Sequence, residues 1–399
     1  MTSPCNIISK QTRLHHTQKF ATMTRDAPKT WLEVLDEQRE NSLSRFSDID
    51  VDWMDPTYSK ILAITPNDMT SNNLWVNQQM SHPENEKMVL EVCKELKDQG
   101  WKAAYTRILS QDIAVNMCKN NIGNIKGRTL LQVYPNEAYD TQAVLDSARA
   151  YAKEFERAGI PQDRYCIKIP STGPALNACP TLKKEGIATL GTALFGLPQA
   201  IACSQAGCLY ISLYFNEVKA HDDLKLWPNV EDPATQHTMS AHTLQIPETY
   251  ARLYKETGKD QPLLKQASFI TAKEAMAAGE HGCHSATISP QVLDELSKLT
   301  YDGSKQSGEG KPKPSNLYAG YKTPARLAEV SKVDPLAAAE IDAKIASTDI
   351  DYLANDGEEL QKAIKADPVT SQRLDDTLKL FTSGLLESKA KIEEWFEQV

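Results

Sequence analysis

The sequence predicts an α/β fold, a (βα)8 barrel of the TIM type with an N-terminal tail and a C-terminal helical extension. Three observations carry this. From about residue 47, eight short β-like runs alternate with amphipathic helical stretches, the pattern of a parallel sheet with crossover helices. No G-x-G-x-x-G follows any of the runs, which sets aside an open doubly wound sheet. Gly100, Gly159, Gly186, Gly207 and Gly258 follow helical stretches, where a left-handed C′ residue ends a helix.

The elements follow in chain order. Residues 1–46 read as a tail and a helix over about 30–41. Within 1–25 stand Lys10, Arg13, Lys19 and Arg25 and no acid. An organelle-targeting segment is one reading; a plain tail, or an extension upstream of a start at Met23, is preferred, because two Arg and little apolar periodicity make a weak signal. No secretory apolar region is present, so a cytoplasmic location is expected. The β-like runs lie at 48–52, 67–71, 129–134, 165–170, 188–194, 209–214, 264–269 and 285–289, and the first two are weak on pattern alone. Between them, 141–158 carries Val144, Leu145, Ala148, Tyr151, Ala152 and Phe155 on one helical stripe. The barrel is assigned to 47–300. Residues 301–399 read as a loop followed by helices that pack on the barrel. In that loop Pro312 and Pro314 alternate with Lys311 and Lys313, a basic linker. The last helix, about 371–396, aligns Leu374, Leu378, Phe381, Leu385 and Ile392.

Composition narrows the function. The 399 residues carry a net charge of −9 with 41 % hydrophobic and 24 % charged residues, ordinary for a globular chain with a sizeable core. Nucleic acid and anionic membrane are excluded as main partners, since both need a basic face. No apolar run reaches the ~18 residues of a membrane span. The eight cysteines form no C-x-x-C pair, and several lie in apolar runs, which reads as buried reduced thiols.

The fourth run, Tyr165-Cys166-Ile167-Lys168-Ile169-Pro170, holds a lysine among apolar residues. Side chains alternate along a strand, so Ile167 and Ile169 face the outer helices and Lys168 points into the barrel near its C-terminal mouth. A desolvated lysine shifts toward the neutral amine, a nucleophile for carbonyl carbon. A structural ion pair with an interior acid is the competing reading.

The run from Ile167 through Thr172, with Leu182 through Gly196, resembles the transaldolase family, and most closely its fructose-6-phosphate aldolase branch. The resemblance covers about 47–399. It implies the (βα)8 fold, already expected from the strands, and a Schiff-base aldol mechanism needing neither cofactor nor metal. By this resemblance Lys168 is the covalent nucleophile and Thr192 helps hold a catalytic water; Asp52 is acid or base on a looser match, for which Asp55 competes. Asn72 and Ser212 match substrate-binding positions. The implied partner is a small-molecule sugar or other carbonyl compound, in carbohydrate metabolism of the pentose phosphate type; a homo-oligomer stays open.

Departures from the pattern sharpen it. Gln132 stands where transaldolases proper place a Glu, and Tyr214 where they often place a Phe. Both resemble the aldolase branch, in which they orient a proton-shuttling water. An amide is no base, whereas a phenol offers a donor. The family's phosphate site keeps only Ser268; Glu217 and Ile270 replace the expected cations, with Lys219, Lys225 and Lys273 nearby as candidates to compensate. The expected activity is therefore transfer or cleavage of a dihydroxyacetone unit of a ketose, with an unphosphorylated substrate favoured. An ordinary pentose-phosphate transaldolase and a non-catalytic scaffold barrel are the alternatives. Glu280-His281-Gly282-Cys283-His284 has metal-ligand residue types, but falls on the turn before the eighth strand, away from the mouth. His221, His237 and His242 are read into a solvated loop rather than a lid.

Overall fold

The computed structural model describes residues 28–40, 48–98, 100, 106–303, 316–332 and 347–399. The basic segment 1–25 and the Lys-Pro linker at 311–314 lie outside them. Eight parallel strands close into a barrel in sequence order: β1 Asp48–Val51, β2 Met69–Thr70, β3 Thr129–Gln132, β4 Tyr165–Pro170, β5 Thr189–Leu194, β6 Tyr210–Tyr214, β7 Leu263–Ala267 and β8 Ser285–Ile288. The predicted fold class is the observed one. Strand β2 is only two residues long, which explains its weak apolar signal.

Alternation sorts the side chains as expected. Ile49, Val51, Ile167 and Ile169 join the large outer core with the helices, while Leu130, Cys166, Leu190 and Tyr210 pack as a separate inner cluster. The helix Thr141–Arg157 buries Val144, Leu145, Ala148, Tyr151 and Phe155 and is capped by Asp140, whose side chain accepts from an otherwise unpaired backbone N–H. All five helix-ending glycines have positive φ, between 67° and 81°.

Between β2 and β3 the chain inserts three helices, Asn73–Met80, Pro83–Asp98 and Thr106–Asn121. After β6, residues 221–226 form an exposed turn that begins at His221, as expected, but the other two histidines are not in a solvated loop. His237 and His242 are buried, His242 lies in the helix Ser240–Thr257, and His237 stacks on Phe215 at 3.8 Å between ring centroids. His242 Nδ1 lies 2.8 Å from the Phe195 carbonyl. His281 is fully buried, with Nε2 3.0 Å from the Ala234 carbonyl.

One glycine shows how tightly β5 is held. A Cβ on Gly191 would lie 2.3 Å from Cys203 Sγ and 3.1 Å from Ser171 Oγ. Gly191→Ala is expected to cost about 1–3 kcal/mol by overpacking, read as a lower denaturation midpoint. Adding Cys203→Ala is expected to recover part of the loss, because the two sites share one space.

The helix Pro368–Gln398 is longer than its sequence periodicity suggests, and it lies over the C-terminal ends of the strands. Its Thr370 packs on Gly196 after β5, and its Gly384 on Asn73 and Leu74 after β2. Lys219, after β6, pairs with its Asp376 at 2.7 Å.

Candidate active site

Among the described residues two lysines are buried inside the barrel, and their surroundings set them apart. Lys168 on β4 donates from Nζ to Thr70 Oγ1 at 3.0 Å and to the Ser71 carbonyl at 2.8 Å. Both partners are neutral. Burial lowers its pKa to about 8, against a smaller opposing pull from Asp52. A buried amine with this pKa is partly neutral near physiological pH.

Lys265 on β7 is the opposite case. Its Nζ lies 2.8 Å from both Asp50 and Asp68, 3.0 Å from Ser285 Oγ, and 4.4 Å from the centre of the Tyr210 ring. Burial alone would strip its proton, but the two carboxylates outweigh burial and push its pKa up. Lys265 is thus a fixed ammonium at the barrel's floor. Sequence reasoning missed it, although the alternation that turned Lys168 inward also turns Lys265 inward and places Asp50 on the inner face with Asp52.

Asp52 follows β1 and anchors to the barrel rim through its N–H, which donates to the Ile288 carbonyl at 2.9 Å. Burial raises its pKa, while Lys168 and then the nearby Trp75 indole pull it down. Neither Asp52 Oδ1 nor Trp75 Nε1 completes a hydrogen bond, so the indole acts here as a nearby dipole. A carboxyl held up in this way takes and returns protons more readily at neutral pH than an exposed one.

Thr192 and Tyr214 meet across the interior, with Oγ1 and the phenol oxygen 3.3 Å apart. Burial pushes the Tyr214 pKa well up, Thr192 eases it down slightly, and Asp52 adds to the rise. The phenol therefore stays protonated and offers a donor. Thr192 stands directly before Ala193, a non-glycine residue at φ 52°, where the register of β5 against β6 shifts. Bulges of this kind re-aim neighbouring side chains. Gln132 ends β3 in register with Lys168. It is buried, and both its amide oxygen and its amide nitrogen lack a partner. An interior amide with unused capacity at the same level as the lysine is suited to holding a water or a substrate hydroxyl.

The substrate-binding expectations divide. Ser212 is buried on the inward face of β6, two residues below Tyr214. Asn72 caps the helix Asn73–Met80, its Oδ1 accepting from the N–H groups of Leu74 and Trp75 at 2.9 and 3.1 Å; only its amide NH2 is left to donate. Ser268 sits after β7 at φ 68°. Its hydroxyl donates to the Asn216 carbonyl at 2.8 Å and lies 2.8 Å from His221 Nε2, so it is held within the protein. Two of the three candidate compensating cations are engaged, Lys219 by Asp376 at 2.7 Å and Lys273 by Glu231 at 2.9 Å, and Lys225 is exposed. Sequence reasoning also missed Arg373, a cation of the C-terminal helix, whose Nη2 lies 3.9 Å from Glu217.

Lys168, Asp52, Thr192, Tyr214 and Gln132 thus share the inner, C-terminal end of one barrel. This is where barrel enzymes place their chemistry, on strand ends contributed by several strands. The model of the family described as Transaldolase/Fructose-6-phosphate aldolase matches residues 52–391. The chain is 30 % identical over 336 residues to a transaldolase of Thermosynechococcus vestitus, covering 82 % of this chain and 74 % of that one. It is also 30 % identical over 343 residues to a transaldolase of Nostoc sp., covering 84 % and 90 %. With the barrel, its interior lysine and these matches together, the chain belongs to the transaldolase/fructose-6-phosphate aldolase family.

Proposed function

We propose that the protein is a Schiff-base enzyme that transfers or cleaves the dihydroxyacetone unit of a ketose. The single observation that carries this reading is Lys168: buried, hydrogen-bonded to two neutral oxygens, and with its pKa lowered to about 8. The neutral Nζ attacks the ketose carbonyl carbon, and loss of water leaves a protonated imine. The bond between C3 and C4 then breaks. Its electrons flow into the imine to give an enamine, and the C4 hydroxyl proton passes to the Asp52 carboxylate, directly or through water. Tyr214, with Thr192 behind it, donates toward that water, and the Gln132 amide orients it. Protonation of the enamine releases the unit by cleavage; attack of the enamine on an acceptor aldehyde gives transfer. Hydrolysis of the imine restores Lys168.

The preferred donor ends in a hydroxyl rather than a phosphate. Glu217 and Ile270 stand where the family pattern has cations, and Lys219 and Lys273 are bound to carboxylates. A phosphate there meets repulsion from Glu217, which offsets the one nearby guanidinium, Arg373.

Borohydride reduction in the presence of dihydroxyacetone, followed by peptide mapping, tests the reading. The expected result is one reduced adduct, on Lys168, absent from Lys168→Ala. No adduct, or one that persists in Lys168→Ala, overturns it. Product analysis with aldehyde acceptors then separates transfer from cleavage, and a strong preference for fructose 6-phosphate over unphosphorylated donors overturns the substrate assignment.

A further inference from the structure

The C-terminal helix brings a guanidinium to the barrel mouth that no local sequence motif announces. Arg373 lies one turn after Thr370, which packs on Gly196 at the end of β5, and one turn before Asp376, which holds Lys219 after β6. Its side chain is 13 % exposed, and its closest carboxylate, Glu217, is 3.9 Å away. Nη1 is buried with no partner at all. Burial outweighs the attraction of Glu217 and Asp367 and lowers the group's hold on its proton, yet an arginine stays charged in a protein. A buried guanidinium with one loose ion pair has donors to spare, and unmet donors are costly.

Glu217, with its side chain 22 % exposed, has acceptor capacity to match. The pair is neutral as a unit. Beside it, Lys219 is paired with Asp376. A dianion would gain one guanidinium and meet Glu217. A hydroxyl-bearing chain end, in contrast, donates to Glu217 and accepts from Arg373 with no change of net charge.

We propose that Arg373 and Glu217 form a specificity-determining pair that reads the hydroxyls at the far end of an unphosphorylated ketose, with the arginine supplied by the C-terminal helix. This rests on the Schiff-base reading of Lys168. The test measures the concentration of ketone that half-saturates borohydride trapping at Lys168. It uses three probes: fructose, fructose 6-phosphate, and dihydroxyacetone, which lacks the far-end hydroxyls. Arg373→Met and the near-isosteric Glu217→Gln are each expected to raise the fructose-to-dihydroxyacetone ratio of half-saturating concentrations about tenfold, the loss of one buried hydrogen bond. An unchanged ratio in both variants overturns the proposal, since a purely structural role shifts both probes alike. So does a wild-type preference for fructose 6-phosphate that Arg373→Met abolishes, which makes the arginine a phosphate ligand. If no ketone traps the wild-type protein, the Schiff-base reading itself fails and takes the pair's role with it.

Discussion

Replacing Lys168 by Met is expected to abolish adduct formation and, at pH 7, to make the protein more stable. The two effects have one cause. Lysine titrates near 10.5 when exposed, and Lys168 is lowered to about 8 by burial. Below pH 8 the lysine is protonated in both folded and unfolded chains, and the folded state bears the full cost of burying the charge. That cost fades as pH rises from about 8 to 10.5, where the unfolded chain holds more protons than the folded one. The shift corresponds to roughly 3 kcal/mol. Losing the bonds to Thr70 and Ser71 takes back about 1–2 kcal/mol, so the net gain is ~1–2 kcal/mol. Losing Lys168 also removes a pull that lowers the Asp52 pKa, so that carboxyl titrates higher in the variant. Denaturant midpoints of the two proteins at pH 7 and pH 10 measure this: the advantage of Lys168→Met is expected at pH 7 and is expected to shrink at pH 10.

Lys265→Met is expected to do the reverse. Here the lysine is the counterion of two buried carboxylates, 2.8 Å from each. Removing one member of a buried ion cluster costs about 3–5 kcal/mol, because the remaining charges stay desolvated. Burial already raises Asp50 to about 6, with Lys265 opposing that rise. Without the lysine that carboxyl titrates higher still. A carboxyl whose folded pKa exceeds its unfolded value gains stability as pH falls. The variant is therefore expected to recover part of its loss between pH 7 and pH 5, and a further part on adding Asp50→Asn. Equal losses at both pH values contradict this electrostatic account.

The contrast between the two lysines also shows what was legible in the sequence. Alternation along an apolar strand is a local property, and it is enough by itself to turn Lys168 inward. The same rule applies to Lys265, but its meaning depends on Asp50 and Asp68, which reach it from the opposite end of the chain. Strands β3 to β8 announced themselves by apolar runs and helix-ending glycines. Strand β2, two residues long, had no period to show. The site residues at strand ends were legible through the resemblance of one block, Ile167 to Gly196. What sequence could not show was which hydroxyls and cations were already engaged. Ser268 is held by Asn216 and His221 through a left-handed backbone turn, and Lys219 by a carboxylate on the C-terminal helix. His237 and His242 read as solvated because their segment is polar; both are buried, His237 against the Phe215 ring and His242 on the Phe195 carbonyl.

The pH dependence of trapping at Lys168 tests the central claim most directly. Attack requires the neutral amine, so the initial rate of adduct formation with dihydroxyacetone is expected to rise with pH through a midpoint near 8, with the label mapped to Lys168. A midpoint near that of an ordinary exposed lysine, or a label on another lysine, contradicts the account.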